Sequence, residues 1–175
     1  MIVRKGVRED LLGIGRVAEA AHWASYEGLL RPETIGRLVL REFSPSVLAR
    51  RLLRGGVMVV TAGDEVVGFA DGEITPDAVH LNAIATDPTQ RRRGIGTALL
   101  AGVRELSDAL PTAADVLLGN LEGEQFLEVN GFVPGEIQHG SLFTEDVVER
   151  RWWREAVADL ERELGVASDG REPRR

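Results

Sequence analysis

A loop rich in arginine and glycine, lying between a predicted strand and a predicted helix, constrains this chain more than any other segment. It reads Arg91-Arg92-Arg93-Gly94-Ile95-Gly96-Thr97. Glycines allow backbone N–H groups to approach a ligand closely, and a helix N-terminus adds partial positive charge. Arginine side chains add forked donors that suit phosphate oxygens. The loop therefore predicts a cradle for a diphosphate group.

Other phosphate-binding loops fit this segment less well. It contains no Gly-Lys-Ser/Thr, which excludes the P-loop of nucleoside triphosphate enzymes. It also lacks Gly-x-Gly-x-x-Gly, because Leu99 occupies the position of the third glycine. A solvated helix start with a glycine turn is the plainer interpretation. The order strand, loop and helix favours the diphosphate cradle.

Length and composition limit the class of protein. The 175 residues, with 43% hydrophobic and 28% charged residues, predict one globular domain over 1–166 and a disordered polar tail over 167–175. Cysteine is absent, which excludes disulfides and thiolate chemistry. The net charge of −7 argues against a nucleic-acid partner and weakly favours a cationic amine substrate. We assign no metal site.

Membrane and export signals are not found in the sequence. No segment approaches the roughly 18 consecutive apolar residues that a membrane span needs. The first residues, 1–6, are followed by charged residues rather than by the apolar stretch of a signal peptide. We therefore expect no membrane partner and a cytoplasmic location.

Hydrophobic periodicity predicts a mixed α/β layer structure. Helices are expected over 9–21 (with Asp10 as N-terminal cap), 32–40, 44–54, 95–109, 122–129 and 156–164. Strands are expected over 2–4, 57–62, 66–73, 78–85, 116–118 and 147–154, with a strand or hairpin over 131–143. The order is helices, antiparallel strands and then a strand–helix–strand–helix–strand unit.

Three motifs together resemble the GCN5-related N-acetyltransferase (GNAT) superfamily. Arg91-x-x-Gly94-x-Gly96 matches its Arg/Gln-x-x-Gly-x-Gly/Ala signature. The preceding segment, 81–88, and the later Asn120 with the segment 126–132 resemble the flanking motifs, so the resemblance covers about residues 55–135. It implies a central, mostly antiparallel, splayed sheet of about six to seven strands flanked by helices. The sheet opens between its fourth and fifth strands.

The resemblance implies acetyl-CoA as the cofactor and assigns its binding residues. The main chain of Ile84 and Ala85 pairs with the pantetheine arm, and Asn120 and Phe126 contact the cofactor. The remaining residues of the set belong to the loop: Arg91, Arg92, Arg93, Gly94, Ile95, Gly96 and Thr97. The resemblance implies that the amides of Arg93, Gly94, Gly96 and Thr97 hold the pyrophosphate.

The activity that the resemblance implies is direct transfer of an acetyl group to a primary amine. The acceptor is a small molecule, a protein N-terminus or a lysine, and family members often form homodimers. One departure from the family pattern supports an alternative. Leu127 stands where many members have a tyrosine that protonates the leaving thiolate. A non-catalytic acyl-CoA-binding or regulatory module with the same fold is therefore the second hypothesis.

Candidate acid and base residues come from several parts of the chain. His80 is the preferred base, because imidazole titrates near neutral pH and Asn82 shares its strand face. The spacing resembles that of the arylalkylamine N-acetyltransferases, although a histidine hydrogen-bonded in the sheet or exposed at its rim fits equally well. Glu73 and Asp115 are rival bases, although a solvated charge at the end of a strand is the favoured interpretation of each.

Tyr26, the only tyrosine, is the candidate acid. Water or direct transfer from the amine is equally open. Tyr26 forms an aromatic group with His22 and Trp23 in the region that shapes the acceptor pocket in the family. Ordinary helix packing is the favoured interpretation for each of these three residues taken singly.

Overall fold

The computed structural model describes residues 2–156 and contains, in that range, five α-helices and seven strands. The helices are Leu11–Tyr26 (α1), Pro32–Phe43 (α2), Pro45–Arg54 (α3), Ile95–Arg104 (α4) and Leu121–Val129 (α5). The strands are Val3–Lys5 (β1), Val57–Ala62 (β2), Glu65–Ile74 (β3), Val79–Thr86 (β4), Thr112–Leu117 (β5), Val133–Leu142 (β6) and Glu145–Arg154 (β7). The tail predicted over 167–175 lies outside the described residues, as does the helix predicted over 156–164 beyond its first residue.

The strands form a single sheet in the order β1-β2-β3-β4-β5-β7-β6. Only β4 and β5 run parallel, and every other neighbouring pair is antiparallel. The parallel pair follows from the connection through α4, since parallel strands need a crossover. The predicted fold class, a mostly antiparallel sheet flanked by helices, is confirmed.

The sheet splays between β4 and β5. Their pairing is limited to Val79–Leu81 against Thr112–Ala114, although β4 continues to Thr86 and β5 to Leu117. A β-bulge marks the same point: Ala83 and Leu81 pair with the adjacent residues Asp71 and Gly72 of β3, which leaves Asn82 as the extra residue. Beyond the bulge, the edge of β4 that faces β5 carries free backbone groups.

Helices cover both faces of the sheet. On one face, α4 packs with Val79, Leu81 and Ile84 of β4. On the other face, α1 and α3 pack with Ala83 and Ala85. In a regular strand, residue 83 would share the face of 79 and 81. The bulge at Asn82 reverses this alternation and so sets which side chains of β4 reach each layer.

The structure differs from the sequence prediction at several element boundaries, most clearly in α1, α4 and β5. Residues Arg8–Asp10 form a 3₁₀ turn, so α1 begins at Leu11 and runs on to Tyr26. Helix α4 ends at Arg104, not near 109. Strand β5 starts at Thr112, four residues before the prediction, because the buried residues Ala113 and Ala114 pair there despite the low β-propensity of alanine.

The predicted cap at Asp10 is wrong in its chemistry. Asp10 occupies the N-cap position of α1 but makes no side-chain capping bond. Its carboxylate instead accepts two hydrogen bonds from Arg4, at 2.6 and 2.8 Å, and one from the N–H of Val7. The side chain thus ties the first strand to the start of α1.

No helix in the described range is long and apolar enough to cross a membrane.

Candidate active site

Three adjoining cavities follow the gap between β4 and β5. The loop cavity, about 540 Å³, lies between the loop 91–97 and α5. The throat, about 140 Å³, lies between the diverging strands beneath α1. The helix cavity, about 310 Å³, lies on the far side of the throat, beneath α1 and α2.

Shared lining residues show that the throat connects the two outer cavities. The throat shares Ile84, Ala85 and Phe126 with the loop cavity. It shares His22, Tyr26 and a set from the strands with the helix cavity, namely Leu81, Asn82, Ala114 and Asp115. Two molecules that enter from opposite sides therefore meet where the strands part.

The loop cavity contains the N-terminus of α4. Gly94 caps the helix with φ +77°, a left-handed conformation that favours glycine. The N–H of Ala98 is the first to bond within the helix, to the Gly94 carbonyl at 3.0 Å. The amides of residues 95–97 therefore have no helical acceptor, and the helix dipole adds to their positive potential. These groups suit an anion.

Gly96 is required by packing rather than by backbone angle. A Cβ atom there would lie 2.8 Å from Cε2 of Phe126. Phe126 projects from α5 and lines both the loop cavity and the throat. The missing side chain at position 96 thus lets the ring stand against the start of α4.

Hydrogen bonds at Asp87 hold the entry to the loop. Its carboxylate accepts bonds from the N–H and hydroxyl of Thr89, at 3.0 and 2.7 Å, and from Arg16 at 2.9 Å. The Thr89 hydroxyl contributes most to lowering the pKa of Asp87. Because Arg16 also donates to the Val66 carbonyl at 2.7 Å, α1, β3 and the loop are joined at one point.

The three arginines of the loop differ in position. Arg91 and Arg92 line the loop cavity, and Arg92 has the left-handed φ of 61°. Arg93 is exposed and is not among the lining residues. Arg91 forms an ion pair with Glu122 at the start of α5, with an N–O distance of 2.6 Å. This ion pair joins the loop to α5 across the loop cavity.

The other residues assigned to the cofactor lie along the loop cavity and the throat. Ile84 and Ala85 follow the last β4–β5 pair, so they lie on the free edge of β4. Ile95, Gly96 and Thr97 line the loop cavity together with Gly94. Asn120 caps α5 by accepting a hydrogen bond from the N–H of Gly123 at 3.1 Å, and it lines both the loop cavity and the throat.

His22 lies on α1 where the throat and the helix cavity meet. Its Nδ1 donates to the Ala18 carbonyl at 2.7 Å, which leaves Nε2 as the free acceptor. Burial lowers the pKa of His22, so the neutral ring is favoured. The ring packs on Phe43 with centroids 4.7 Å apart and on Tyr26 at 5.5 Å. The sequence suggested His22 only as a pocket wall, although its spacing of one helical turn from Tyr26 was a signal.

Tyr26 also lies at this junction. Burial raises the pKa of its phenol, and the charge of Glu149 on β7 raises it further. The phenol is therefore protonated at neutral pH. Leu127, by contrast, is buried in the core cluster that includes residues of α4, and among the three cavities it lines only the throat. Its aliphatic side chain cannot donate a proton.

His80 and Glu73 pair across β4 and β3, but they have different surroundings. His80 is half-buried and lines the helix cavity. Glu73 lines none of the three cavities. Its Oε2 accepts hydrogen bonds from Arg54 and from Asn82, both at 3.0 Å. Glu73 is therefore placed to hold Asn82 at the bulge.

The carboxylate of Asp115 is also engaged in hydrogen bonds. Its carboxylate forms two parallel hydrogen bonds with Arg151, each 2.8 Å long. This bidentate pairing leaves the carboxylate less available as a base.

Among the described residues, no group of three or more histidine, aspartate or glutamate side chains could hold a metal ion.

Comparison with known proteins agrees with this geometry. Residues 54–134 match a family model described as an acetyltransferase (GNAT) domain. No curated protein sequence matches the chain. The PaiA N-acetyltransferase from Thermoplasma acidophilum, solved in complex with coenzyme A, is 21% identical with a TM-score of 0.73, and the match covers 85% of this chain and 96% of that one.

Two further solved structures are similar over nearly the whole described fold. A GCN5-related N-acetyltransferase from Rhodopseudomonas palustris is 19% identical with a TM-score of 0.75, covering 88% of this chain and 94% of that one. A ribosomal-protein alanine N-acetyltransferase from Escherichia coli is 18% identical with a TM-score of 0.66, covering 87% and 92%. At these identities the likeness establishes the fold.

The splayed sheet and the glycine loop at the start of α4 define an acetyltransferase domain. The match of residues 54–134 to the acetyltransferase (GNAT) domain model agrees with the resemblance that the sequence motifs carry.

Proposed function

We propose that this chain is an N-acetyltransferase that binds acetyl-CoA and passes the acetyl group directly to a primary amine. The observation that carries the proposal is the throat, which connects a phosphate-binding helix start to a separate cavity under α1 and α2. Acetyl-CoA supplies an activated thioester when it is bound. The residues of this chain orient the two reactants and move the protons.

The loop cavity fits coenzyme A. Free amides at residues 95–97 and the guanidinium of Arg92 suit the pyrophosphate. The amide of Arg93 and the side chain of Arg91 belong to the same proposed set. The free edge of β4 at Ile84 and Ala85 offers backbone groups to the pantetheine amides. Asn120 and Phe126 form the opposite wall.

The helix cavity fits the amine. His80 lies on the strand that enters the throat, and we retain it as the base that accepts the ammonium proton, either directly or through water. Tyr26 carries a protonated phenol at the junction and is the proposed acid for the thiolate. Glu73 is the weaker candidate base, because Arg54 and Asn82 occupy its carboxylate.

A thermal-shift titration tests the cofactor. We expect acetyl-CoA to raise the melting temperature, since a ligand that binds only the folded state stabilises it. Arg92→Glu and Arg93→Glu are each expected to reduce the shift, with Arg50→Glu on the exposed side of α3 as the control of equal charge change. No shift of the unmodified protein at saturating acetyl-CoA would show that the cofactor assignment is wrong.

A thiol-release assay over a panel of amines tests the transfer. His80→Gln is expected to lower kcat by about 100-fold or more while the acetyl-CoA thermal shift is retained. Glu73→Gln provides the comparison. A larger loss in Glu73→Gln than in His80→Gln would transfer the role of base to Glu73.

The second candidate function is a non-catalytic acyl-CoA-binding or regulatory module. It is favoured by the buried Leu127, which stands at the position of the usual proton donor. Cofactor binding without thiol release across a broad amine panel is the outcome that this candidate requires.

A further inference from the structure

The helix cavity contains one acidic side chain without an ionic partner. Glu149 projects from β7 and is half-buried. Within the described range, no lysine, arginine or histidine nitrogen lies within salt-bridge distance of its carboxylate. Burial and the nearby charge of Asp115 raise the pKa of Glu149, and the charge of Arg151 offsets them only in part.

Most other charged side chains that line this cavity are neutralised by neighbours. Arg51 bonds Asp71 and Glu42, and Glu42 also pairs with Arg41. Asp115 is held by Arg151. Among the carboxylates that line this cavity, Glu149 is therefore the one that forms no ion pair within the described part of the chain.

Glu149 lies outside the throat. Asp115, Tyr26 and His22 line both the throat and the helix cavity, whereas Glu149, like His80, lines the helix cavity alone. A group bound at Glu149 therefore occupies the helix cavity and leaves the throat open for the reacting amine. This arrangement suits a part of the acceptor that does not react.

Part of the wall of the helix cavity is apolar. Leu117 lies opposite Glu149 on β5 and lines the same cavity, together with Leu30, Leu38 and Leu142 from other elements. These side chains suit a methylene chain. A carboxylate in the same cavity as these leucines is complementary to an ammonium group on an aliphatic chain.

We propose that Glu149 selects an acceptor with a second cationic group, an aliphatic diamine in which one amine reacts at the throat and the other pairs with Glu149. This specificity rests on the proposed acetyl transfer. It names the acceptor class that the helix cavity recognises.

The test compares short linear diaminoalkanes with amino alcohols of the same chain length, in which a neutral hydroxyl replaces the second ammonium. We expect kcat/KM of the unmodified enzyme to be at least about tenfold higher for the diamine, as a charge-assisted hydrogen bond in a partly buried site predicts. In Glu149→Gln the ratio of kcat/KM between the diamine and the amino alcohol should fall close to one. Glu149→Asp, which keeps the charge, should retain most of it.

Glu65→Gln is the matched control. It makes the same change of net charge on an exposed residue that lines none of the cavities. Because the readout is a ratio of two substrates, a variant that is only partly folded does not alter it. An unmodified enzyme without a preference for diamines, or a preference that survives in Glu149→Gln, would overturn the assignment.

Binding separates this proposal from the proposed transfer. If no amine releases thiol, diamine binding is followed by calorimetry with coenzyme A present. Binding that Glu149→Gln weakens about tenfold supports the subsite even without turnover. Equal affinity of the two proteins rejects the subsite, whereas failure of the acetyl-CoA thermal shift rejects the proposed function.

Discussion

Gly96 and Phe126 fix the width of the loop cavity by direct contact: a Cβ on Gly96 would lie 2.8 Å from the ring. The two residues belong to α4 and α5, which approach each other where the strands separate. Because a Cβ atom does not approach another carbon atom this closely, a side chain at position 96 must move the aromatic ring. The ring in turn lines the loop cavity and the throat.

We therefore expect Gly96→Ala to weaken acetyl-CoA binding by about tenfold or more, since displacement of Phe126 into the cavity costs about 1–3 kcal/mol by overpacking. Isothermal titration calorimetry measures the effect. Gly36→Ala is the matched control, because a Cβ at that helical position meets no atom within 4 Å. An unchanged affinity in Gly96→Ala would show that Phe126 does not border the bound cofactor.

The ion pair between Arg91 and Glu122 leads to a prediction of tighter, rather than weaker, acetyl-CoA binding. Glu122 is 70% exposed and holds the guanidinium that the loop offers to phosphate. Glu122→Gln frees Arg91 and removes a negative charge from the cavity mouth. We expect acetyl-CoA to bind about two- to fivefold more tightly, the range for exposed ion pairs.

The salt dependence of binding checks this prediction. The gain in Glu122→Gln should shrink as ionic strength rises, because exposed charges are screened. Glu124→Gln, on the same helix but outside the linings of the three cavities, is the control. Weaker binding in Glu122→Gln would mean that the ion pair positions Arg91 productively.

The loop and its neighbours were predictable because their chemistry is local in sequence. The glycines, arginines and the following helix are contiguous, so the sequence predicted a helix start with accessible backbone amides. Asn120 and Phe126 were assigned only through the resemblance to the GNAT superfamily. Both reach the cavity through the packing of α5, which no spacing within one element indicates.

The acceptor side was less predictable because it is assembled from distant segments. His22 and Tyr26 on α1, His80 on β4 and Glu149 on β7 meet only when the sheet is formed. The bulge at Asn82 also has no signal in the strand pattern. Likewise, the ion pair of Glu73 with Arg54 joins β3 to α3, so the sequence could not show that this carboxylate is occupied.

His22 gives a prediction about stability and pH. Burial places its folded-state pKa below the ordinary value of 6.5, so the unfolded chain binds more protons as pH falls. The stabilisation is therefore present above about pH 6.5 and is lost as pH decreases through the folded-state pKa. Urea unfolding at several pH values should show this loss.

We expect His22→Gln to flatten the dependence of the unfolding free energy on pH below about 6.5. His139→Gln is the control, because His139 is exposed on the edge strand β6. A slope that is the same in the unmodified protein and in His22→Gln would show that the imidazole is not held neutral by burial.

Asp10 predicts a second loss of folding stability, at lower pH than the loss due to His22. Hydrogen bonds from Arg4 contribute most to lowering the pKa of Asp10 from its ordinary value of 3.8. Its stabilising contribution is thus complete above that value and is lost as pH falls through the lower folded-state pKa. Asp10→Asn keeps the shape but loses the charge, so we expect a loss of about 2 kcal/mol at neutral pH.

The neighbouring Glu9 makes the control for this change, because it is exposed and has no hydrogen bond to Arg4. Glu9→Gln should alter the unfolding free energy by less than about 0.5 kcal/mol. If Asp10 acted only as a charge near the N-terminus of α1, the two variants would have similar effects. A difference between them therefore measures the tie that Asp10 makes between Arg4 and the entry of the helix that covers the throat.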